Sequence, residues 1–371
     1  MNRWVFRIHL WAGLVSGVLL LGVSLTGVAL LFAPAVDHVL NPELFRVEPG
    51  PQRVSLDAML AAAREARPDV RVQGFHKLPL AADEAFAVSG EREGRYTLVH
   101  VDPYRASVLG ARAWEEGLEG TLLRLHYSLL SGRPGEVVVF LLGLSLLVSV
   151  LTGAWVYRRS LLRVFTLPVR WRHGMRAWSA DVHRLVGVSS LLFNLVIAVT
   201  GSVMLWQHTM VRLFEDAPPP PKRAAVPEQV FTGSVDEAVA RAREALPALV
   251  VQGVVLPENA DESLLVYGGL QGHALLGRTS SSVRLAPRTL AVSEVRDMSR
   301  EGLSSQVLAV MLPLHFGDWG GWAVKLLYAM LGLSPGLLSV TGTVLWWRKR
   351  RVRAPVPQSE ASGVPGFTRT A

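Results

Sequence analysis

The chain has 371 residues, a formal net charge of +8, half of its residues hydrophobic and no cysteine. The missing cysteine excludes disulfides, thiolate metal sites, iron–sulfur clusters and covalent C-x-x-C-H haem attachment, so a metal would have to be held by His, Met, carboxylate or carbonyl groups. The basic excess lies beside apolar runs and no DNA- or RNA-binding motif accompanies it, so it reads as a membrane-orientation and anionic-lipid signal and nucleic acid is not an expected partner.

In chain order, Ile8 to Phe32 is the first of four stretches without Asp, Glu, Lys or Arg that are long enough for a bilayer core, which takes about 20 residues of helix. It outruns the roughly 7–15 apolar residues of a signal peptide and no A-x-A-like site closes it, so it reads as a retained helix. An amphipathic helix follows, apolar at Leu56, Met59, Leu60 and Ala63 and stopped by Pro68, then strand-like runs Glu84 to Ser89 and Tyr96 to Asp102. Gly117 to Leu130 has the spacing of an interfacial helix. The second span is Val137 to Tyr157, followed by a loop with Arg158, Arg159, Arg163, Arg170, Arg172 and Arg176. The third span, Leu185 to Trp206, leads through the Pro-rich Ala217 to Pro221, a stiff connector. A second amphipathic helix stops at Pro247, and strands Ser263 to Tyr267 and Leu290 to Val295 follow. An interfacial helix, Gly302 to Leu314, leads into the fourth span, Leu326 to Trp347, with a kink expected at Pro335. Arg348, Lys349, Arg350 and Arg351 begin the tail after the fourth span, and the tail from Ala354 is expected to be disordered.

Because Lys and Arg gather on the cytoplasmic side, the N terminus, the loop after span two and the C-terminal tail are expected there. Segments 33–136 and 207–322 then lie outside, in the periplasm of a two-membrane bacterium. The expected divisions are helix one over 1–36, an outer module over 37–113, an interfacial helix with helix two over 114–159 and a cytoplasmic loop over 160–180. Helix three over 181–212, a linker with the second outer module over 213–300, an interfacial helix with helix four over 301–350 and a cytoplasmic tail over 351–371 complete them.

An internal repeat underlies this order. His9, Gly13 and Thr26-Gly27 fall on His183, Gly187 and Thr200-Gly201 at an offset of 174, and His126, Gly143 and Thr152-Gly153 fall on His315, Gly332 and Thr341-Gly342 at an offset of 189. SLDAMLAAAREARPDVRVQG matches SVDEAVARAREALPALVVQG at an offset of 179. The fold class read from this is a membrane protein with a four-helix transmembrane bundle from a tandem duplication. Each half carries a small outer α+β module, and the halves are parallel repeats about an axis along the membrane normal.

The topology sorts the repeated histidines by depth, His9 with His183 near the cytoplasmic face and His126 with His315 near the outer face. Each pair suits the two axial positions of a flat tetrapyrrole iron, so two non-covalent b-type haems are expected, stacked across the bilayer, with these four as iron ligands. Taken singly, helix-end histidines also act as interfacial anchors; recurrence in register favours ligation. Gly13 and Gly187, one turn beyond their histidines, leave room for a macrocycle edge, as the Thr-Gly pairs would at the same depths, although small residues also serve plain helix packing. Arg7 and Arg184 for the inner site, and Arg124 and Arg133 for the outer, are candidate propionate partners that would otherwise snorkel. No catalytic residue is assigned. His38, His76, His173 and His273 read as surface or cap residues, and His208 could face the outer site.

The R-x-H-x-x-x-G start at Arg7, His9 and Gly13, its copy at His183 and Gly187, the L-H pairs at His126 and His315 and the T-G closings resemble the PepSY-associated transmembrane, iron-regulated inner-membrane family over roughly residues 1–353. The resemblance implies PepSY-like periplasmic modules and a diheme, membrane-bound oxidoreductase similar to the ferric-siderophore reductases, acting in iron homeostasis. Its substrate would be a periplasmic ferric siderophore or other ferric chelate, releasing ferrous iron. With no G-x-G-x-x-G after a predicted strand, the electron donor would be a separate partner, a cytoplasmic flavoprotein or a membrane quinol. Two alternatives remain at this point: a non-enzymatic PepSY-type binding or regulatory membrane protein, and a metal or chelate transporter component.

Overall fold

The computed structural model describes residues 2–78, 81–210, 231–259 and 261–351. The Pro-rich connector and the tail from Ala354 lie outside these residues. Helix α1 spans Arg3–Leu40, started by Asn2, whose side chain accepts from the Trp4 N–H at 3.0 Å. Its 38 residues reach about 57 Å, well beyond the length needed to cross a hydrocarbon core. Four helical stretches are long and apolar enough to cross a membrane: Arg3–Leu40, Arg133–Tyr157, Leu191–Thr209 and Gly321–Lys349.

The sequence predicts an unbroken third span over Leu185 to Trp206 and only a kinked fourth, and both are interrupted. Helix α6 (Gly174–Ser189) stops at Ser190, at φ −96 and ψ 5, and α7 (Leu191–Leu205) starts directly after it. The Ser190 hydroxyl donates back to the Val186 carbonyl at 2.7 Å and accepts from Asn194 Nδ2 at 3.0 Å, so side-chain bonds replace part of the ladder there. In the fourth span the break falls at Leu333, just ahead of Pro335.

The bundle is held by α1 against α5 (Arg133–Tyr157), with α5 also against α7, and by the last helix, Ser334–Arg351, against α1 and α6. Leu20, Leu142, Leu146, Val150 and Ala198 form its apolar centre. Hydroxyls cross between helices around it: Ser145 donates to the Ala12 carbonyl at 3.1 Å, and Ser334 to Asn194 Oδ1 at 3.0 Å. Such contacts supply attraction where lipid and side chain are equally apolar. Val18, 83% exposed, and Leu192, 73% exposed, lie on the outer surface, as membrane-facing residues do.

Beyond the C-terminal end of α1, short helix α2 (Pro42–Phe45) leads to α3 (Leu56–Ala66) and strands β1 (Arg71–Lys77), β2 (Phe86–Arg92), β3 (Arg95–Val101) and β4 (Val108–Ala113). Helix α4 (Leu118–Ser128) returns to the bundle. Helix α8 (Val235–Ala245) and strands β5 (Leu249–Val255), β6 (Leu264–Leu270), β7 (Ser281–Leu285) and β8 (Val292–Arg296) follow the third span, then α9 (Leu303–Phe316). The observed strands start and end within a few residues of the four expected ones; β1, β4, β5 and β7 are additional.

The two expected outer sheets are one. All eight strands form a single antiparallel sheet in the order β4-β3-β2-β1-β5-β6-β7-β8, joined where Gly74 and Phe75 pair with Val255 and Val254. Each half would otherwise end in an open first strand, and pairing them removes both edges. Glycine is needed at this seam: at Gly74, with φ +140, a Cβ would strike the Val254 carbonyl, and at Gly253 it would lie 2.6 Å from the Phe75 carbonyl oxygen.

Helices α3 and α8 cover one face of the sheet over a core that includes Phe75, Val88, Val99, Val254 and Val266. Each helix caps the other. Asp236 accepts from the Leu56 and Asp57 N–H groups at 3.0 Å each, while Asp57 accepts from the Val235 N–H at 2.7 Å and the Ser234 hydroxyl at 2.5 Å. The opposite face meets the end of α1: His100 on β3 packs against Phe45, ring centroids 4.8 Å apart, and Arg112 on β4 pairs with buried Asp37 of α1.

Candidate functional site: two opposed histidine pairs

His9 projects from the second turn of α1 onto α5, where its Nδ1 lies 3.0 Å from the Ser149 carbonyl and 3.2 Å from Thr152 Oγ1. The Thr152 hydroxyl proton is already used, donated at 2.6 Å to the Val148 carbonyl. Both neighbours are therefore acceptors, which assigns the imidazole proton to Nδ1 and leaves a lone pair on Nε2. His183, on α6, repeats this against the last helix: its Nδ1 is 2.9 Å from Thr341 Oγ1, whose own proton goes to the Leu337 carbonyl at 2.8 Å.

Near the sheet the same device recurs. His126, in the last turn of α4, donates from Nδ1 to the Val23 carbonyl at 3.0 Å, with Thr26 Oγ1 at 3.1 Å. His315, in the last turn of α9, bonds Thr200 Oγ1 at 2.9 Å, and that hydroxyl donates to the Val196 carbonyl at 2.7 Å. The chain turns sharply after each: Leu129 and Leu130 sit at φ 50 and 57 after His126, and Gly317 at φ 67 after His315. Left-handed backbone at two consecutive leucines is a costly conformation that the packing of α4 on α5 maintains.

Each ring rests on the glycine beside its threonine. A Cβ at Gly27 would stand 2.9 Å from His126 Cε1, and at Gly201 2.9 Å from His315 Cε1. At Gly153 it would stand 3.2 Å from His9 Cε1, and at Gly342 3.4 Å from His183 Cε1. The Thr-Gly pairs, expected to border a macrocycle, instead seat the imidazoles: threonine accepts the proton and glycine admits the ring.

The four side chains meet as two pairs. His9 and His183 face each other with centroids 6.2 Å apart and planes at 86°; His126 and His315 do so at 6.3 Å and 60°. Along α1 the contacts of the two pairs, His9 and Thr26, are separated by about 25 Å of helix rise. Each pair offers two neutral nitrogen donors, enough for two positions of one metal ion. Among the described residues no group of three or more His, Cys, Asp or Glu could hold a metal by itself.

The remaining sequence candidates divide. A Cβ at Gly13 would meet nothing within 4 Å, and one at Gly187 only Leu338 Cδ2 at 3.5 Å, so both leave space one turn beyond their histidines. Arg184 lies largely buried, 3.3 Å from Asp181 Oδ1, with its Nε buried and unpartnered among the described residues. Arg7 is exposed over the Trp4 ring at 5.4 Å; Arg133 is exposed at the start of α5, and Arg124 is half-buried on α4. His208 is exposed and packs edge-on to Tyr127 at 6.1 Å between centroids. His38 stacks on Phe45 at 4.2 Å, and His76 Nδ1 bonds the Tyr96 hydroxyl at 2.9 Å.

Three buried polar residues escape the sequence reading. Glu136 sits one residue before the apolar run of the second span and accepts from the Thr209 hydroxyl at 2.6 Å. Asn194 is 2% exposed in the middle of the third. His100 is 2% exposed, its Nε2 unpartnered among the described residues, and burial drives its pKa down to about 4. An Asn inside an apolar run is a readable signal; His100 carries none, since it stands in a strand with no repeat-related histidine.

The sequence profile described as the PepSY-associated TM region matches residues 6–349, which takes in all four histidines and both halves of the sheet. The chain belongs to this PepSY-associated family. A Pseudomonas aeruginosa protein designated only as uncharacterized is 30% identical to it over 261 residues, 63% of this chain and 64% of the relative. The chain thus aligns with less than two thirds of that relative. Across the family match, the PepSY-associated chain places its apolar helices and its histidine pairs in one continuous segment.

Proposed function

We propose that this PepSY-associated protein is a haem-dependent membrane oxidoreductase that delivers electrons to ferric chelates outside the bacterial inner membrane. In this reading the chain is a tandem duplication with cytoplasmic termini, PepSY-like modules in the periplasm and two b-type haems. The observation that carries the proposal is the recurrence of opposed imidazoles at 6.2 and 6.3 Å. Two imidazoles joined through Nε2 to opposite sides of one iron, with bonds of about 2 Å, hold their ring centroids roughly 6 Å apart. The residues present fit the group.

His9 with His183, and His126 with His315, would be the axial ligands. Their Nδ1 protons, fixed on threonine and carbonyl oxygens, hold the rings in the ligating tautomer and prevent rotation. Gly13 and Gly187 would admit the macrocycle edge, and Arg184 is the best-placed partner for a propionate at the inner site. Held by these four histidines, haem would supply one-electron redox chemistry at two depths of the bundle. The substrate is ferric iron in an oxygen-donor chelate such as a siderophore; one electron makes the ion ferrous and softer, and its hold on hard oxygen ligands weakens. A flavoprotein or quinol would supply the electron.

The test is a dithionite-reduced minus oxidised spectrum of the purified protein with haem counted per chain. Two haems are expected, one lost in His9→Ala and the other in His126→Ala, followed by loss of ferric-chelate reduction. Protein made under haem-sufficient conditions that carries none would remove the reading.

A further inference from the structure

The sheet face turned away from the bundle contains a cavity of about 290 Å³, between the start of α3 and the first turns of α8. Met59, Phe86, Val239 and Val251 line it as an apolar floor, and Arg53 and Arg243 also border it. We propose that this cavity binds an anionic ligand with an apolar body, such as an aryl or acyl carboxylate. Asp236 is the cavity's acidic residue, and each of its oxygens is committed to a backbone N–H at the start of α3. Arg53 is held over the Phe86 ring at 5.2 Å and donates to the Ala81 carbonyl at 2.5 Å. Arg243 is exposed and forms no ion pair among the described residues. Two guanidinium groups beside an apolar floor recognise a carboxylate attached to an apolar body, the usual chemistry of a pocket with few, placed polar groups.

The repeat supplies an internal comparison. At the offset of 179 the equivalent hollow is walled by Thr232, Gly233 and Ser234, with Asp57 and Arg64 in the places of Asp236 and Arg243. Thr232 stands there for Arg53. Phe231, 5% exposed, joins the apolar core in the second copy, whereas its counterpart in the first, Gln52, is an exposed polar residue. The two copies thus differ in two features that bear on a ligand, a second cation and the absence of an aromatic ring filling the hollow.

The test uses the full chain in lipid nanodiscs, titrated calorimetrically with 2-naphthoate and with uncharged 2-naphthalenemethanol, empty nanodiscs serving as blank. Saturable binding of the carboxylate is expected, at least tenfold tighter than that of the alcohol. Arg243→Gln, an exposed change that leaves the core intact, should weaken it at least tenfold. Gln52→Phe, which places the aromatic ring of the other half in the hollow, should abolish it. Absence of saturable binding, equal binding of acid and alcohol, or wild-type affinity in both variants would overturn the proposal. Haem content plays no part in these readouts, so this failure and that of the electron-transfer reading are distinguishable.

Discussion

At the scale of single residues, each histidine of the two pairs is held by a threonine and a glycine about 100 to 160 positions away. Replacing Thr200 by Val removes the acceptor 2.9 Å from His315 Nδ1 while keeping the side-chain shape. Loss of such an orienting partner commonly weakens metal affinity about 10–100-fold. Under the proposed function Thr200→Val should lower haem occupancy at the outer site alone, read as loss of one of two components in the redox spectrum. His100 makes a separate prediction. Its pKa falls from 6.5 to about 4 in the folded protein, chiefly because burial disfavours the imidazolium and secondarily because Arg112 is near. The unfolded chain therefore takes up the proton first as pH drops. This contribution to stability is complete above pH 6.5 and is lost progressively down to about pH 4, amounting to about 3 kcal/mol. Thermal unfolding of the sheet domain in His100→Phe, compared with wild type at pH 7.5 and pH 5, should show a smaller acid-induced fall. An equal fall in both would show that His100 carries no part of the acid sensitivity.

At the scale of elements, local chemistry explains where helices start and tertiary chemistry where they break. Ser55 and Ser234 cap α3 and α8 by accepting from the Ala58 and Glu237 N–H groups at 3.1 Å each, and these serines stand at matching places in the repeat. The exchange of Asp57 and Asp236 between the two helices adds a second, reciprocal cap. Asp236→Ala should cost about 1 kcal/mol, the usual value of a helix N-terminal cap, measured as a shifted denaturation midpoint of the sheet domain. The breaks were less legible. Pro335 marks the interruption of the fourth span in the sequence, but Ser189-Ser190 reads like any small pair until Asn194 is placed one turn above it. The strands β1 and β5 were hidden for a similar reason: Gly74 and Gly253 interrupt their alternation, and those glycines serve a contact between the two strands themselves.

At the scale of the molecule, the single eight-stranded sheet ties the two strand-bearing segments into one unit at one end of the bundle. The seam between β1 and β5 is its narrowest link, with two Cα pairs in register. Gly74→Val, which places a side chain against the Val254 carbonyl at φ +140, should open this seam. Limited proteolysis should then cut between the sheet halves under conditions where wild type resists. Unchanged resistance would mean that the helix caps alone hold the halves together.

The sequence by itself determined the apolar spans, the register of the repeat, the four histidines worth following and the Thr-Gly pairs at their depths. These are local or periodic features, readable from spacing along one chain. Only the tertiary structure decided that threonine and glycine grip the imidazole ring, that the third helix breaks at Ser190, and that two modules share one sheet. Each of those rests on a contact between atoms of distant segments, such as Thr200 with His315 or Gly74 with Val254. Hydrophobic periodicity states which face of an element is apolar, not which partner will cover it.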